Sequence, residues 1–543
     1  MRPPLSRTFP ELLAEQAALA GDRIAVIDRG RQYSYAALAE RAGRLAAGLR
    51  AAGLKRGDRI GVLLGNRIEW LEIFFGATAA GAIVVPISTW SKPAELEFIL
   101  NDAGVSMLFT MASAGSTDFI AGLRPLIPEA FAAQDWASAR FPALRSLIVV
   151  GASPPSSGWS SFDSMFGEAL GQGDLPLDRT ADAAAAADDA LILYTSGSTS
   201  KPKAVRLAHQ GLIENGFNIG ERQGLGRDDR ILAAVPLFWA YGSANALPAT
   251  FSHGAALVLQ ERFEPVGALT LIEQHRCTAI YTLPAMTSAM IAHPEFAPAR
   301  TASLRTGLTI GNSQDVINAA EVLGAAQICN VYGSSETYGN CCVTPCDWPL
   351  ERRSTCQGPP LPGVSIRLID AETGAAASRG APGLIEVSGY LMPGYGGQSA
   401  VHNADVFTDD GWYRTGDIGT LSDEGDIIFL GRNSEMIKRS GINVSPAEVE
   451  DILMQHPGVA QAAVVGAPDP ARGEIIVGFV VCEKNVLAAE LIAHCRSLAS
   501  SYKVPDRIIF RSGLPATATG KLQRQPLKAL ALALTAQESD DVT

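Results

Sequence analysis

The stretch YTSGSTSKPKAV, Tyr194 to Val205, runs an apolar strand into glycine, serine and threonine and then into Lys201 and Lys203. Backbone N–H groups freed by such a turn, short hydroxyls and two ammonium groups together suit a polyanion, so the stretch reads as a phosphate-holding loop. The GxxxxGK[ST] spacing of a Walker A loop is absent, and a P-loop ATPase mechanism is therefore not licensed. Four more stretches gather groups that nucleotide chemistry uses: VYGSSET (331–337), WYRTGDIG with Asp417, GRNSEMIK with Arg432 and Lys438, and TATGKLQR with Lys521. Taken singly, each has an ordinary structural meaning: a turn, an aspartate capping backbone N–H groups, a surface ion pair worth little, a solvated lysine. Their occurrence together in one chain carries the information.

These groups need elements to hold them. From Tyr35 to Ser88 the sequence reads helix, strand, helix, strand: YAALAERAGRLAAGLRAAG and EWLEIFFGATAAG alternate with the short apolar runs RIGVLLG and AIVVPIS. That alternation predicts an α/β layered fold. The alanine-rich segment 181–190 is either filler or a short helix, and it leads into the strand LILY. ILAAVPLFW, GAALVL and CTAIYTLP repeat the strand pattern, which predicts a second α/β layer. Beyond Pro359 the texture changes to short strands with turn chemistry, including a hairpin at Asp423-Glu424-Gly425. After Arg432, SPAEVEDILMQH predicts a helix capped by Ser445 with Pro446 in its first turn, and QAAVVGAP, IIVGFVV, a helix and RIIF complete a small α+β unit. The expected fold is α/β: a large N-terminal domain, 1–433, of two layered α/β subdomains plus a small β-barrel-like subdomain, then a small mobile α+β domain, 434–543.

Composition bounds the function. The chain has 543 residues, 47% of them hydrophobic and 18% charged, which excludes a disordered protein. A formal net charge of -12 disfavours a broad nucleic-acid surface. The N-terminus lacks the basic-then-apolar order of a signal peptide, and no apolar run is long enough to span a bilayer, so a cytoplasmic enzyme is expected. Cys341, Cys342, Cys346 and Cys356 fall close together without a paired CxxC spacing or a histidine among them, which favours reduced thiols over a metal site.

With these motifs in this order, the sequence resembles the adenylate-forming superfamily: acyl-CoA synthetases, aryl-CoA ligases, carrier-loading adenylation domains and firefly luciferase. The resemblance covers nearly the whole chain. It implies that Thr195, Ser196, Gly197, Ser198, Thr199 and Lys203 hold the β- and γ-phosphates of ATP, with Ser200 and Ala204 standing where glycine is common. It implies that Tyr332 stacks on adenine beside Gly333, that Ser335 bonds the α-phosphate, and that Glu336, with Thr199, holds Mg²⁺. Gly311, Asn312 and Ser313 of TIGNSQ would edge the nucleotide, and Asp417 and Arg432 would bind the ribose. Lys521 corresponds to the catalytic lysine of adenylation. A carboxylate approaching a phosphate at about 4 Å meets repulsion of about 4 kcal/mol per charge pair at an effective dielectric of about 20, so cations must offset it.

In the family the C-terminal domain then rotates about the position of Ser434, and Lys438 and Gly441 face thioester formation, Gly441 because a narrow pantetheine tunnel admits no side chain. The acyl pocket would be lined by Trp239, Tyr241, Gly242, Leu283, Pro284, Ile310 and Ser334. Trp239 stands where many relatives carry histidine; it is either an aromatic wall or a core tryptophan under the sheet. An aromatic or short-to-medium apolar acid is the expected substrate. The resemblance implies activation of a carboxylic acid by ATP to an acyl-AMP, then transfer to CoA, with Mg²⁺ as cofactor. The alternative acceptor is a carrier-protein phosphopantetheine, although no carrier domain is fused after Lys521.

Overall fold

The computed structural model describes residues 1–166, 184–195, 202–378, 380–439, 442–469, 472–482, 486–499, 501–516 and 522–540. Ser196, Gly197, Ser198, Thr199, Ser200, Lys201, Gly441 and Lys521 lie outside these residues.

Two eight-stranded sheets form the large unit. The first runs in the order Tyr395–Gly396, Lys203–Ala208, Asp189–Thr195, Ile83–Pro86, Arg59–Leu63, Val105–Met111, Ser146–Val150, Ser160–Ser161. The second runs Cys342–Val343, Gln327–Tyr332, Thr306–Thr309, Ala279–Tyr281, Arg230–Ala233, Ala256–Leu259, Ile24–Asp28, Arg31–Ser34. Chain order does not divide them cleanly. The early hairpin 24–34 crosses to the second sheet, where Ile24–Asp28 pairs in parallel with Ala256–Leu259, and the hairpin 189–208 joins the first, where Leu191 pairs with Val84. The helix Ile68–Ala79 is buried on nearly every side, as its continuous apolar sequence demands. Beside it, Tyr35–Ala51 buries only one stripe, Tyr35, Leu38, Ala42, Leu45, Ala46 and Leu49, and is capped by the Ser34 hydroxyl, which accepts from Ala37 N.

The alanine-rich segment forms no helix in its described part: 184–188 is a turn, tied by the Ala185 N–H to Asp188 Oδ2 at 2.9 Å, and the strand starts at Asp189. Ala's helix propensity loses to the need to enter the sheet in an extended conformation. The small β unit is a four-stranded antiparallel sheet, Ser365–Ile369, Gly383–Ser388, Tyr413–Leu421, Ile427–Arg432, with the expected hairpin joining the last two. Its ladders run as an open ribbon, so its likeness to a barrel is one of strand content only.

The C-terminal unit is a five-stranded sheet built on Val459–Asp469 and Gly473–Cys482, flanked by Pro446–Met454, Ala488–Leu498 and Arg524–Asp540. Ser445 caps the first of these helices, as its spacing predicts. The large apolar core ends in sequence at Ile427, and the separate C-terminal core begins at Ile437. Where the units touch, the Ser445 hydroxyl bonds the Leu430 carbonyl and the helix Ser313–Ile317 packs against Pro446–Met454. Cys341, Cys342 and Cys356 are buried free thiols, and Cys346 is half-buried.

Candidate active site

Asp417 sits at the junction of the small sheet and the second large sheet. Its strand, Tyr413–Leu421, pairs with Ile427–Arg432 in a register that sets Asp417 directly across from Arg432. The carboxylate is 5% exposed; Oδ2 accepts from the Tyr332 hydroxyl at 2.8 Å, and Oδ1 pairs with Arg432 Nε at 2.8 Å. Tyr332 ends the strand Gln327–Tyr332, and its ring stacks on Phe429 with centroids 5.7 Å apart and planes 27° from parallel. Residues 332, 417 and 432, far apart in the chain, thus share one site. Phe429 was not singled out by sequence, because nothing distinguishes it from other apolar residues of a short strand.

After Tyr332 the backbone folds back on itself. A Cβ on Gly333 would lie 2.5 Å from both Asn340 Cα and Gly339 O, so only glycine allows the approach. The short turn Ser335–Thr337 then presents Glu336, whose Oε1 accepts from the Tyr395 hydroxyl at 2.8 Å. The Tyr395 ring lies under the Lys203 ammonium, 5.0 Å from the centroid. Burial, and then the nearby Glu336 charge, push the Tyr395 and Tyr413 phenols above their ordinary range, so both remain hydroxyl donors at any working pH. Tyr395 and Tyr413 join Lys203, Glu336 and Arg432 into one polar cluster, and neither was named from sequence. Tyr395 lies in a glycine-rich loop without periodicity, and only its two-residue strand against Lys203–Ala208 brings it here.

Thr195 and Lys203 are the last paired residues of an antiparallel hairpin, so both ends of the glycine-rich loop are fixed in register. Ala204 lies in that strand's extended backbone, where alanine in place of glycine carries no penalty, and its N–H donates to Ser399 Oγ at 3.0 Å.

Gly311, Asn312 and Ser313 form the N-terminus of the helix Ser313–Ile317. The Asn312 side chain accepts from Asp315 N at 3.0 Å while Asp315 Oδ2 accepts from Asn312 N at 2.9 Å. A Cβ on Gly311 would lie 2.5 Å from that same Asp315 oxygen. Burial raises the Asp315 carboxyl to about 6. Across the unit boundary, burial and then the charges of Glu450, Asp315 and Glu448 raise Asp451 to about 7. Both values exceed the roughly 3.9 of a free aspartate, so the folded state binds more protons than the unfolded one, and stability falls as pH rises from about 4 through about 7. Asp451→Asn is expected to flatten that slope, raising the melting temperature by a few degrees at pH 8 and leaving it unchanged at pH 4, as measured by thermal unfolding across the range.

The expected acyl-pocket residues fall into two groups. Tyr241 and Gly242 open the π-helical turn Tyr241–Ala246, and the Tyr241 hydroxyl donates to Thr282 O at 3.3 Å, beside Leu283 and Pro284. A Cβ on Gly242 would meet Pro236 O at 2.2 Å. Trp239 is half-buried, and it packs edge-on against Trp90 with centroids 5.0 Å apart. Trp90 and Phe238 meet edge to face at 5.3 Å. Trp239 is therefore not a core tryptophan under the sheet. Trp90 comes from a loop of the first sheet and carried no sequence signal. Ile310 is 42% exposed, and Ser334 is partly buried directly before the turn that carries Glu336.

Three expected residues remain. Lys438 is exposed on Ile437–Arg439 with its N–H bonded to Glu474 Oε2 at 2.5 Å. Ser434 contributes backbone to the short turn Asn433–Glu435. Ser335 accepts at its carbonyl from Tyr338 N at 3.2 Å.

Comparison with known proteins accords with this geometry. The AMP-binding enzyme family model matches residues 13–396, and the AMP-binding enzyme C-terminal domain model matches residues 448–521. The chain is 33% identical over 513 residues to a feruloyl-CoA synthase of Amycolatopsis sp, covering 93% of this chain and 96% of that protein. It is 29% identical over 542 residues to the mitochondrial medium-chain acyl-CoA ligase ACSF2 of Danio rerio, covering 96% and 88%. Among solved structures, ATP-bound MatB from Rhodopseudomonas palustris superposes with a TM-score of 0.81 at 26% identity, covering 96% of this chain and 98% of that one. Among the described residues, no helix is long and apolar enough to cross a membrane.

Proposed function

Because this chain belongs to the AMP-binding enzyme family, we propose that it uses ATP to convert a carboxylic acid into an acyl adenylate and passes the acyl group to CoA, as an AMP-forming acyl-CoA or aryl-CoA ligase. The observation that carries the reading is the convergence of Asp417, Tyr332 and Arg432 with Glu336, Tyr395 and Lys203, contributed by both large sheets and the small one.

Each group has a task in this reading. Asp417 supplies a carboxylate, an acceptor-only group suited to the paired hydroxyls of a ribose, held in place by Tyr332 and Arg432. Lys203, and the loop whose ends Thr195 and Lys203 hold, neutralise the β- and γ-phosphates. Ser335 offers a hydroxyl to the α-phosphate. Glu336 spends one oxygen on Tyr395, which leaves the other, a hard carboxylate ligand of the kind Mg²⁺ takes, with Thr199 as a second. When bound, the ion supplies positive charge against the triphosphate. Lys521 is assigned the ammonium that stabilises the reacting α-phosphorus.

We set the domain boundary at Ser434, giving units 1–433 and 434–543, because the apolar core is interrupted between Ile427 and Ile437. Rotation there would exchange Lys521 for Lys438 and Gly441 between the half-reactions, which fits the exposed position of Lys438. The alternative acceptor, a carrier-protein phosphopantetheine, shares the first step. The test is a two-stage assay: acid-dependent pyrophosphate release is expected without CoA, followed by AMP release and thioester when CoA is added. Formation of ADP and phosphate would sink the reading, and thioester on a carrier protein with CoA inert would select the alternative.

A further inference from the structure

The helix Pro93–Asp102 grips one tyrosine with two residues a turn apart. Phe98 meets the Tyr194 ring edge to face with centroids 6.2 Å apart, and four residues on, Asp102 Oδ2 accepts from the Tyr194 hydroxyl at 2.8 Å. The other oxygen of the same carboxylate accepts from Gln398 N at 2.7 Å. Gly397, at φ +53°, leaves the room for this: a Cβ there would lie 2.1 Å from Asp102 Oδ2 and would displace the carboxylate. One side chain thus joins three segments far apart in the chain, 93–102, 189–195 and 395–398.

The segments it joins are those that carry phosphate-handling groups. Tyr194 directly precedes Thr195, which pairs with Lys203 at the end of the hairpin. Strand alternation sends Ile192, Tyr194, Ala204 and Arg206 to one face, where they line a cavity of about 290 Å³ together with Asp102 and Gly397, and sends Thr195 and Lys203 to the other face. The segment 395–398 begins at Tyr395, which bonds Glu336 and lies under the Lys203 ammonium, and it pairs with the hairpin through Val205 and Ala204. Burial, and then the bond to Asp102, push the Tyr194 phenol above its ordinary range, so it remains a hydroxyl donor. A cavity borders the carboxylate on this face, so its two hydrogen bonds do the positioning that close packing does elsewhere.

We propose that Asp102 is a positioning residue for acid activation: it fastens the stem of the phosphate-loop hairpin, at Tyr194, to the segment that carries Tyr395, and so sets the spacing of Lys203 and Glu336 around the triphosphate. The inference rests on the acid-activation reading above. Asp102 acts through Tyr194 and Gln398 and touches no reactant in this scheme. Groups that stabilise charge on a departing pyrophosphate act only from the correct place, and a misplacement of about 1 Å costs up to about a hundredfold. Here the expected cost is smaller, because strand pairing still holds both segments when the carboxylate is gone. The Asp417 and Tyr332 pair stands on other strands, so the loss falls on kcat and not on KM for ATP.

The test separates the two half-reactions, using the fastest acid of an aliphatic and aromatic panel. Asp102→Ala is expected to lower kcat for pyrophosphate release about tenfold, with KM for ATP within about twofold of the parent. Thioester formation from a preformed acyl adenylate and CoA, which has no triphosphate to hold, is expected to stay within about twofold. Tyr194→Phe removes a single hydroxyl and is expected to lose about threefold in the same step only. The double variant is expected to be no slower than Asp102→Ala, because the two substitutions cut one link. Melting temperatures report folding, and should Asp102→Ala unfold, the same split in Tyr194→Phe decides. Equal losses in both half-reactions, a change confined to KM for ATP, parent-like kcat in both single variants, or losses that multiply in the double variant overturn this inference and leave the acid-activation reading standing. No acid-dependent pyrophosphate from the parent across the whole panel overturns that reading and this inference with it.

Discussion

Asp417→Asn is expected to lower kcat/KM for ATP by about a hundredfold, chiefly through KM, while the protein stays folded. The substitution keeps the shape of the side chain and removes its charge. Arg432 Nε, now 2.8 Å from Oδ1, would face a neutral side chain, and the amide NH2 would meet the Tyr332 hydroxyl in one orientation and the Arg432 donors in the other. The seat proposed for the ribose loses one acceptor oxygen and its rigidity together. Stability falls much less, because the Arg432 side chain is 49% exposed and water takes up part of its lost pairing. Tyr332→Phe removes only the neutral hydroxyl bond to Asp417, so a smaller rise in KM is expected, on the order of threefold to tenfold. Unchanged KM for ATP in Asp417→Asn, measured by pyrophosphate release at saturating acid, would remove the nucleotide from this site.

Lys521→Ala is expected to lose acid-dependent pyrophosphate release by at least roughly a hundredfold, the scale for removing one donor to a developing transition-state charge. The reason is electrostatic: the acid and the α-phosphate are both anionic, and an ammonium at their meeting point offsets repulsion of about 4 kcal/mol per charge pair at 4 Å. The same variant, supplied with a preformed acyl adenylate and CoA, is expected to make thioester near the parent rate, because the proposed rotation at Ser434 takes the lysine away before that step. Equal losses in both half-reactions would mean a folding defect or a fixed lysine, and would argue against domain alternation. Wild-type adenylation would end the assignment of Lys521.

The candidate site residues were legible because each sits in a local motif of recognisable spacing: the hydroxyl-rich stretch after Tyr194, the turn carrying Glu336, the strand carrying Asp417. Helices were legible where one face or all faces are apolar, as in Tyr35–Ala51 and Ile68–Ala79. Residues that complete the site from other elements were not. Tyr395 reaches Glu336 from a loop 59 positions away, Phe429 backs Tyr332 from the small sheet, and Trp90 meets Trp239 from the first sheet. None belongs to a repeat, a cap or a turn signature, so local pattern could not raise them above ordinary loop or strand residues.

By itself the sequence determined the order of elements, the two-part layout, the nucleotide motifs and thereby the family, since periodicity and motif spacing are properties of neighbouring residues along a chain. Only the tertiary structure decided which strands share a sheet, sending the first hairpin to the second sheet and the phosphate-loop hairpin to the first, and which side chains meet around Asp417 and Glu336. Pairing between distant strands is chosen by the burial of whole faces and the satisfaction of backbone hydrogen bonds across the molecule, and no window of sequence contains that balance.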